Sequence, residues 1–277
     1  MYKMKIEHIE KISEYLEIVE GISADIRQSN SDDLLLFRGQ NVDEPLLPKI
    51  AREYEDTKVY GNPYLYDLFT YEGMMLEDFK RRSRPNLTKE PISDWDWLTV
   101  AQHHGMHTRL LDWTENPLVG LFFALEPVME NQQRVIWILR IGRKEIITPT
   151  KKTNPFGISR TQVFMPNIVS IRLVPQAGWF TIHKHNSTKD KFIALENNTK
   201  FKKLLTKVIV NKNITDMMKH LDLCGINSAS LFADLDGLCK HINVKKVLHN
   251  RYFVRMPESK KSKKALQRDE AKSRHTR

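Results

Sequence analysis

The run Arg134-Val135-Ile136-Trp137-Ile138-Leu139-Arg140-Ile141 constrains the fold most, because it is almost wholly apolar and shows no polar alternation. A β-strand reads this way when it is buried. A second, shorter apolar run, Leu34-Leu35-Leu36-Phe37, follows Asp32-Asp33 and stops abruptly at Arg38-Gly39-Gln40. Neither run approaches the roughly 20 apolar residues that a membrane-spanning helix needs. Further strands are expected at Thr108 to Asp112, Ile168 to Leu173, Gly178 to Ile182 and Phe201 to Val210.

Between these runs the apolar spacing changes to threes and fours. Ile9, Ile12, Tyr15, Leu16, Val19 and Ile22 form such a stripe, which predicts a helix over Ile6 to Arg27. Tyr64 to Arg82 predicts another, and Asp94 is suited to cap a third that runs to His104. Asn116-Pro117 opens a helix that continues to Met129, with Asn at the cap and Pro in the first turn. Two more are expected at Thr215 to Leu223 and Ala229 to Lys240, and Thr148 to Met165 reads as a long loop. Strands and helices interleave without a βαβ period and without internal repeats. The expected class is α+β, a mixed or antiparallel sheet with flanking helices.

The chain has 277 residues, enough for a large core without disulfides or metals. Its two cysteines, Cys224 and Cys239, make no ligand cluster and no disulfide framework. The start at Met1 goes straight into an amphipathic pattern, so a reducing cytoplasmic location is expected and no membrane. The formal net charge is +10. Part of it lies in Ser259-Lys260-Lys261-Ser262-Lys263-Lys264, within a polar tail expected to be disordered over 256–277. Such a tail suits a polyanion or an acidic protein partner, or serves only to solubilise.

Three stretches stand out chemically. The first is Phe37-Arg38-Gly39-Gln40 with Leu46-Leu47-Pro48 and Arg52. The second runs without a break from Ala101-Gln102-His103-His104-Gly105 through Met106-His107-Thr108-Arg109-Leu110-Leu111-Asp112-Trp113-Thr114-Glu115-Asn116-Pro117. The third is Gln176-Ala177-Gly178-Trp179-Phe180 with Leu231-Phe232-Ala233-Asp234-Leu235-Asp236-Gly237. Together they resemble the bacterial FRG-domain family over roughly residues 30 to 240. The resemblance gives three segments: an N-terminal helix at 1–29, an FRG domain similar to ADP-ribosyltransferases at 30–250, and the basic tail.

Some members of that family resemble ADP-ribosyltransferases and act as toxins in phage-defence modules. The resemblance therefore implies an enzyme that transfers ADP-ribose from NAD to a macromolecule, with an antitoxin as a possible partner. Transferases of the arginine class place an Arg, often before Gly, at the end of a first strand, and Arg38-Gly39 fits that element. Asp112-Trp113-Thr114, leading into the helix at Asn116, fits the second element in position more than in letters. Gln176 stands roughly where those transferases carry a catalytic Glu, and it is not a Glu.

The chemistry explains why such residues would be needed. Breaking the nicotinamide bond of NAD creates an oxocarbenium-like centre that nearby negative charge stabilises. Arg38 suits the diphosphate, with Gly39 permitting close backbone approach, and Gln40 belongs to the same group. Arg109 is a second phosphate candidate; for Arg38 a structural ion pair, with Asp112 as partner, stands as the alternative. Thr108, Thr114 and Gln176 are candidates to hold ribose hydroxyls or the nicotinamide amide. Gln176, or Asp112 or Glu115 in place of the carboxylate absent there, is the catalytic candidate to polarise the reacting ribose; for either acid, holding an Arg is the alternative. His103 and His104 are placed to hydrogen bond or to move a proton. Trp113, Trp179 and Phe180 suit stacking on a ring, or core packing.

Asp234 and Asp236 read as a turn and helix start, and no metal site is expected. Basic charge favours nucleic acid, RNA first and then DNA, as the acceptor. Two other functions remain open: a non-catalytic nucleotide or nucleic-acid binding module, and a metal-independent ribonuclease using His103 or His104.

Overall fold

The computed structural model of the protein describes residues 4–59, 66–130, 132–150, 152–167 and 178–249. The fold is mixed α+β, with a mostly antiparallel sheet and flanking helices. The elements are β1 (Lys5–Ile9), α1 (Ile12–Gln28), β2 (Leu34–Gln40), α2 (Lys49–Val59), α3 (Leu68–Ser83) and α4 (Asp94–His103). They continue with β3 (Leu110–Thr114), α5 (Pro117–Leu125), β4 (Arg134–Ile141), β5 (Gln162–Phe164) and β6 (Gly178–Ile182). A short β7 (His185–Asn186) and β8 (Lys191–Phe192) pair with each other, followed by β9 (Leu205–Val210), α6 (Ile214–Leu223), α7 (Ser228–Leu231) and α8 (Leu235–His249).

Seven strands form one sheet in the order β1-β9-β4-β2-β3-β6-β5. Every pair is antiparallel except β1 with β9. The unbroken apolarity of β4 follows from its place in the middle. Ile136 and Ile138 face a core with Phe37 of β2, Val208 of β9 and the helices α1, α5 and α6. Val135, Trp137, Leu139 and Ile141 face the opposite core with Leu36, Trp113 and Leu205. Successive side chains point to opposite faces, so a strand covered on both sides has no position left for a polar residue.

Helix α5 lies on β2 at backbone distance. A Cβ built on Gly39 would sit 2.2 Å from both the Ala124 nitrogen and the Gly120 oxygen, and one on Gly120 would sit 2.8 Å from the Phe37 Cβ. Two glycines facing each other thus set how closely the helix approaches the strand. The helix starts where the sequence predicts: Asn116 caps it, its side-chain oxygen accepting from Leu118 N at 2.9 Å, and Pro117 is its first residue.

Several expectations are corrected. The predicted helix over Ile6 to Arg27 is a strand and a helix: β1 ends at Ile9 and α1 begins at Ile12. Nor do the first residues stand apart, since β1 extends the sheet and the Tyr15 hydroxyl of α1 donates to the Pro117 carbonyl at 3.2 Å. The cap of α4 is Ser93, whose Oγ accepts from Asp96 N at 3.2 Å, and Asp94 is the first helical residue. The long loop contains β5 at a sheet edge. The last predicted helix divides into α7 and α8, with Asp234 Oδ1 accepting from Gly237 N at 2.7 Å at the start of α8. The predicted strand at Ile168 to Leu173 and the basic tail lie outside the described residues.

A buried ion pair joins α3 to the start of β3. Glu72 and Arg109 are both fully buried, and the Glu72 carboxylate accepts from Arg109 N at 2.8 Å and from Arg109 Nε at 2.7 Å. The guanidinium carbon lies 5.3, 4.5 and 5.5 Å from the ring centres of Phe69, Phe156 and Phe192. Removing one member strands the other charge among aromatic rings. Glu72→Gln is therefore expected to destabilise the chain by about 3–5 kcal/mol, read from urea unfolding. The Glu72→Met/Arg109→Met pair should lose less than either single change. Equal losses for the double and the singles combined would contradict this assignment.

Candidate functional site

The sheet parts between β2 and β3. Phe37 and Thr114 form their one register pair among the described residues. Beyond it Arg38, Gly39 and Gln40 stay paired with Trp137, Ile136 and Val135 of β4, while Asp112, Leu111 and Leu110 stay paired with Phe180, Thr181 and Ile182 of β6. A cleft of about 490 Å³ opens at this divergence. Its floor is made by Phe37 to Gln40 and Asp112 to Thr114, with Phe180 behind. One wall is the end of α4, with Gln102 and His103; the facing wall carries Gly120 and Phe123 of α5 and Phe232. Asn41, Val42, Glu44 and Arg52 close the remaining side.

Arg38 bridges the gap. Its Nη1 donates to the Asp112 carbonyl at 2.8 Å, a backbone acceptor that β2 leaves unpaired when the strands separate. The same nitrogen lies 3.7 Å from Asp112 Oδ2. The Nε of Arg38 is buried and meets no hydrogen-bond partner among the described residues, and neither does the Nε of Arg52. Arg52 pairs with Glu44 through Nη1. Burial is the main influence lowering the affinity of Arg38 for its proton; the Asp112 charge opposes it and the Arg52 charge adds to it. An arginine keeps its charge through any such shift, so the cleft holds two guanidinium cations.

Asp112 is fixed from its other side. Thr108 Oγ1 donates to Gln102 Oε1 at 2.6 Å, and Gln102 Nε2 donates to Asp112 Oδ2 at 2.9 Å. The Asp112 side chain nevertheless remains 57% exposed toward the cleft. Phe123 and Phe232 meet edge to face, with ring centres 6.2 Å apart, and give the facing wall an apolar surface.

The structure therefore brings together Arg38, Gly39, Gln40, His103, Asp112 and Thr114 of the residues that the sequence singled out. Gln40 is turned by its amide oxygen, which accepts from Trp137 Nε1 at 2.6 Å. Thr114 is buried, and its Oγ1 accepts from Asn116 N at 3.1 Å. Four others lie elsewhere. Thr108 is buried behind Gln102, and Arg109 is held in the Glu72 pair. His104 is exposed beyond the end of α4. Glu115 accepts from Trp179 Nε1 at 2.6 Å and does not line the cleft. Gln176 lies outside the described residues. Sequence reasoning gave no site role to Gln102, Glu44, Arg52, Phe123 or Phe232. Arg52, Gln102 and Phe232 stood inside the quoted motifs; Glu44 directly precedes Pro45 in irregular chain, and Phe123 is hidden in an apolar helix.

Fold and site define an α+β protein with an arginine-lined cleft, large enough for a nucleotide, at a split in its sheet. Residues 33–133 match the family model of the FRG domain, so that segment is identified as an FRG domain. The matched segment contains every cleft residue except Phe180 and Phe232. No curated protein and no solved structure matches the chain significantly. Among the described residues no helix is long and apolar enough to cross a membrane. Among the same residues no group of three or more His, Cys, Asp or Glu side chains is placed to hold a metal ion.

The cleft floor is anchored from behind by a buried polar relay. Trp113 Nε1 donates to Thr181 Oγ1 at 3.2 Å, and that hydroxyl lies 3.4 Å from His183 Nε2. His183 Nδ1 lies 3.3 Å from the Ile193 carbonyl, which only accepts, so Nδ1 carries the ring proton. Burial drives the His183 pKa down to about 3; the bond to Ile193 opposes the shift, and the Arg38 and Arg109 charges add to it. A histidine kept neutral when folded but free to protonate when unfolded makes the unfolded chain bind more protons. Its contribution is complete above the ordinary histidine pKa and is lost as pH falls from about 6.5 toward 3. Across that window the stability should fall by up to about 1.4 kcal/mol per pH unit from this residue. The His183→Gln chain should show a flatter urea-stability profile over the same range, and an identical slope would contradict the assignment.

Proposed function

We propose that the protein is an ADP-ribosyltransferase that uses NAD and transfers ADP-ribose to a macromolecule. One observation carries the reading: two guanidiniums, Arg38 and Arg52, and a carboxylate, Asp112, converge in one cleft beside aromatic side chains. The guanidiniums of Arg38 and Arg52, both lining the cleft, suit the oxygens of a diphosphate, which accept charge-assisted hydrogen bonds well. Phe123 and Phe232 offer ring faces and edges to nicotinamide or adenine. These residues fit NAD as cofactor. The likeness of its family to ADP-ribosyltransferases, in fold as in activity, belongs to the same proposal.

The reaction breaks the bond between the ribose C1′ and the nicotinamide nitrogen. The bonding pair leaves with nicotinamide and neutralises its pyridinium charge, and a nucleophilic oxygen or nitrogen of the acceptor bonds to C1′ and gives up its proton. With water as acceptor the products are ADP-ribose, nicotinamide and a proton. Positive charge grows at the ribose as the first bond lengthens. Asp112, exposed to the cleft and held by Gln102, is the carboxylate placed to stabilise that charge. Glu115 is not assigned this role because its carboxylate is committed to Trp179. His103 lines the cleft and is the group assigned to receive the acceptor's proton.

For the acceptor we propose nucleic acid, RNA before DNA. Ten of the 44 Lys and Arg residues but only three of the 34 Asp and Glu residues fall after residue 249. The surplus charge that would follow a phosphate backbone is therefore concentrated there. A toxin acting in the cytoplasm, restrained by an antitoxin, is the biological setting this reading implies. The test is mass spectrometry of cellular RNA, DNA and protein after brief expression of the wild type and of Arg38→Ala. An ADP-ribose mass increment present only with the wild type is expected, in the RNA pool first. Its absence from all three pools, with cellular NAD unchanged and both chains folded, would support a non-catalytic binding module instead.

A further inference from the structure

We infer that Gln102 is a positioning residue for the reaction, acting on the Asp112 carboxylate and itself oriented by the buried hydroxyl of Thr108. The inference rests on the ADP-ribosyltransferase reading of the cleft.

Asp112 sits on a strand whose neighbour has turned away, so its side chain lacks the close packing that normally selects a rotamer. Its exposure of 57% is high for a group asked to face one developing charge. Two contacts restrict it. Arg38 holds the residue by its backbone carbonyl, at 2.8 Å, and stands 3.7 Å from Oδ2, which leaves the carboxylate free to turn about its own bonds. Gln102 supplies the missing restraint, donating from Nε2 to Oδ2 at 2.9 Å.

A glutamine amide can present either its nitrogen or its oxygen. Presented the other way round, Gln102 would set an acceptor against a carboxylate oxygen and drive Asp112 away. The Asp112 carboxylate can only accept, so it takes the amide nitrogen, and the orientation is completed by Thr108. Its hydroxyl accepts from Leu110 N at 3.2 Å, and it donates its proton to Gln102 Oε1 at 2.6 Å. That bond holds the amide oxygen in place and steadies the nitrogen against Asp112. Thr108 is fully buried and does not line the cleft, and its side-chain contact with a cleft residue is the one to Gln102. Oriented by Thr108, Gln102 keeps one oxygen of Asp112 in a fixed place and leaves the other open to the cleft. Catalysis by a fixed charge depends on such restraint, because a group that must reorganise during the reaction loses most of its advantage.

The test measures NAD consumption in water, as nicotinamide release, together with calorimetric NAD binding. It uses the full chain and the variants Gln102→Ala, Thr108→Val, Thr108→Ser and Asp112→Asn. Gln102→Ala should lower kcat on the order of 100-fold, the scale of a group displaced by about 1 Å, with the Kd for NAD little changed. Thr108→Val should lower kcat in the same direction and Thr108→Ser should restore it, because serine keeps the hydroxyl. In the Asp112→Asn background, Gln102→Ala should cause no further fall. A Gln102→Ala chain with wild-type kcat, a loss expressed only in Kd, or a full additional loss on top of Asp112→Asn would overturn the assignment. A wild-type chain that neither binds nor consumes NAD would overturn the underlying reading, a result visible before any variant is made.

Discussion

The structure depends on one close approach, that of α5 to β2. Gly39 and Gly120 let the helix backbone meet the strand backbone, since a Cβ on Gly39 would lie 2.2 Å from backbone atoms of α5 and one on Gly120 would lie 2.8 Å from the Phe37 Cβ. The approach has two consequences. It buries Phe37, Val119 and Phe122 in the core shared with α1 and β4, which fixes β2 against β4. It also places Phe123 over the end of β2, where β3 has already diverged, so that the helix becomes a wall of the cleft. Packing and site geometry are thus set by the same contact.

Arg38 occupies the position where this arrangement is most demanding. A strand that loses its neighbour leaves backbone acceptors unpaired, and burial makes such a loss expensive. The arginine satisfies one of them, the carbonyl of Asp112, and so closes the split without filling it. Of the two readings open for Arg38, structural anchor or ligand group, the geometry shows the anchor, with Nη1 bound to the backbone, and places the side chain on the lining of the cleft. Arg109 shows the contrasting case. It lies only three residues from Asp112 in the chain, yet its pairing with Glu72 removes it from the cleft altogether.

What was legible in the sequence follows from these constraints. β4 could be read because a strand covered on both faces must be apolar throughout. The start of α5 could be read because Asn116 and Pro117 carry a local capping mechanism. β1 could not, since an edge strand with exposed Lys5 and Ile6 carries little alternation, and Ile9 falls into helical phase with Ile12. In the site, Arg38 and Asp112 were visible because they interrupt apolar runs. Gln102, Glu44, Arg52, Phe123 and Phe232 become neighbours only through the fold; Gln102, Arg52 and Phe232 stood inside distinctive motifs, but nothing local to them or to Glu44 and Phe123 signals a place in the site. Conversely, Thr108 and Arg109 stood in the densest motif, but that motif packs α3 and α4 onto β3 as well as lining the cleft.

The assignment of the cleft to NAD is tested by calorimetric titration of the purified chain with NAD, for the wild type and for Arg38→Met. One NAD is expected to bind per wild-type chain, with at least about tenfold weaker binding by the folded variant, the scale of a lost charge-assisted hydrogen bond. No binding of NAD by the wild type, or equal affinity of the two chains, would contradict that assignment.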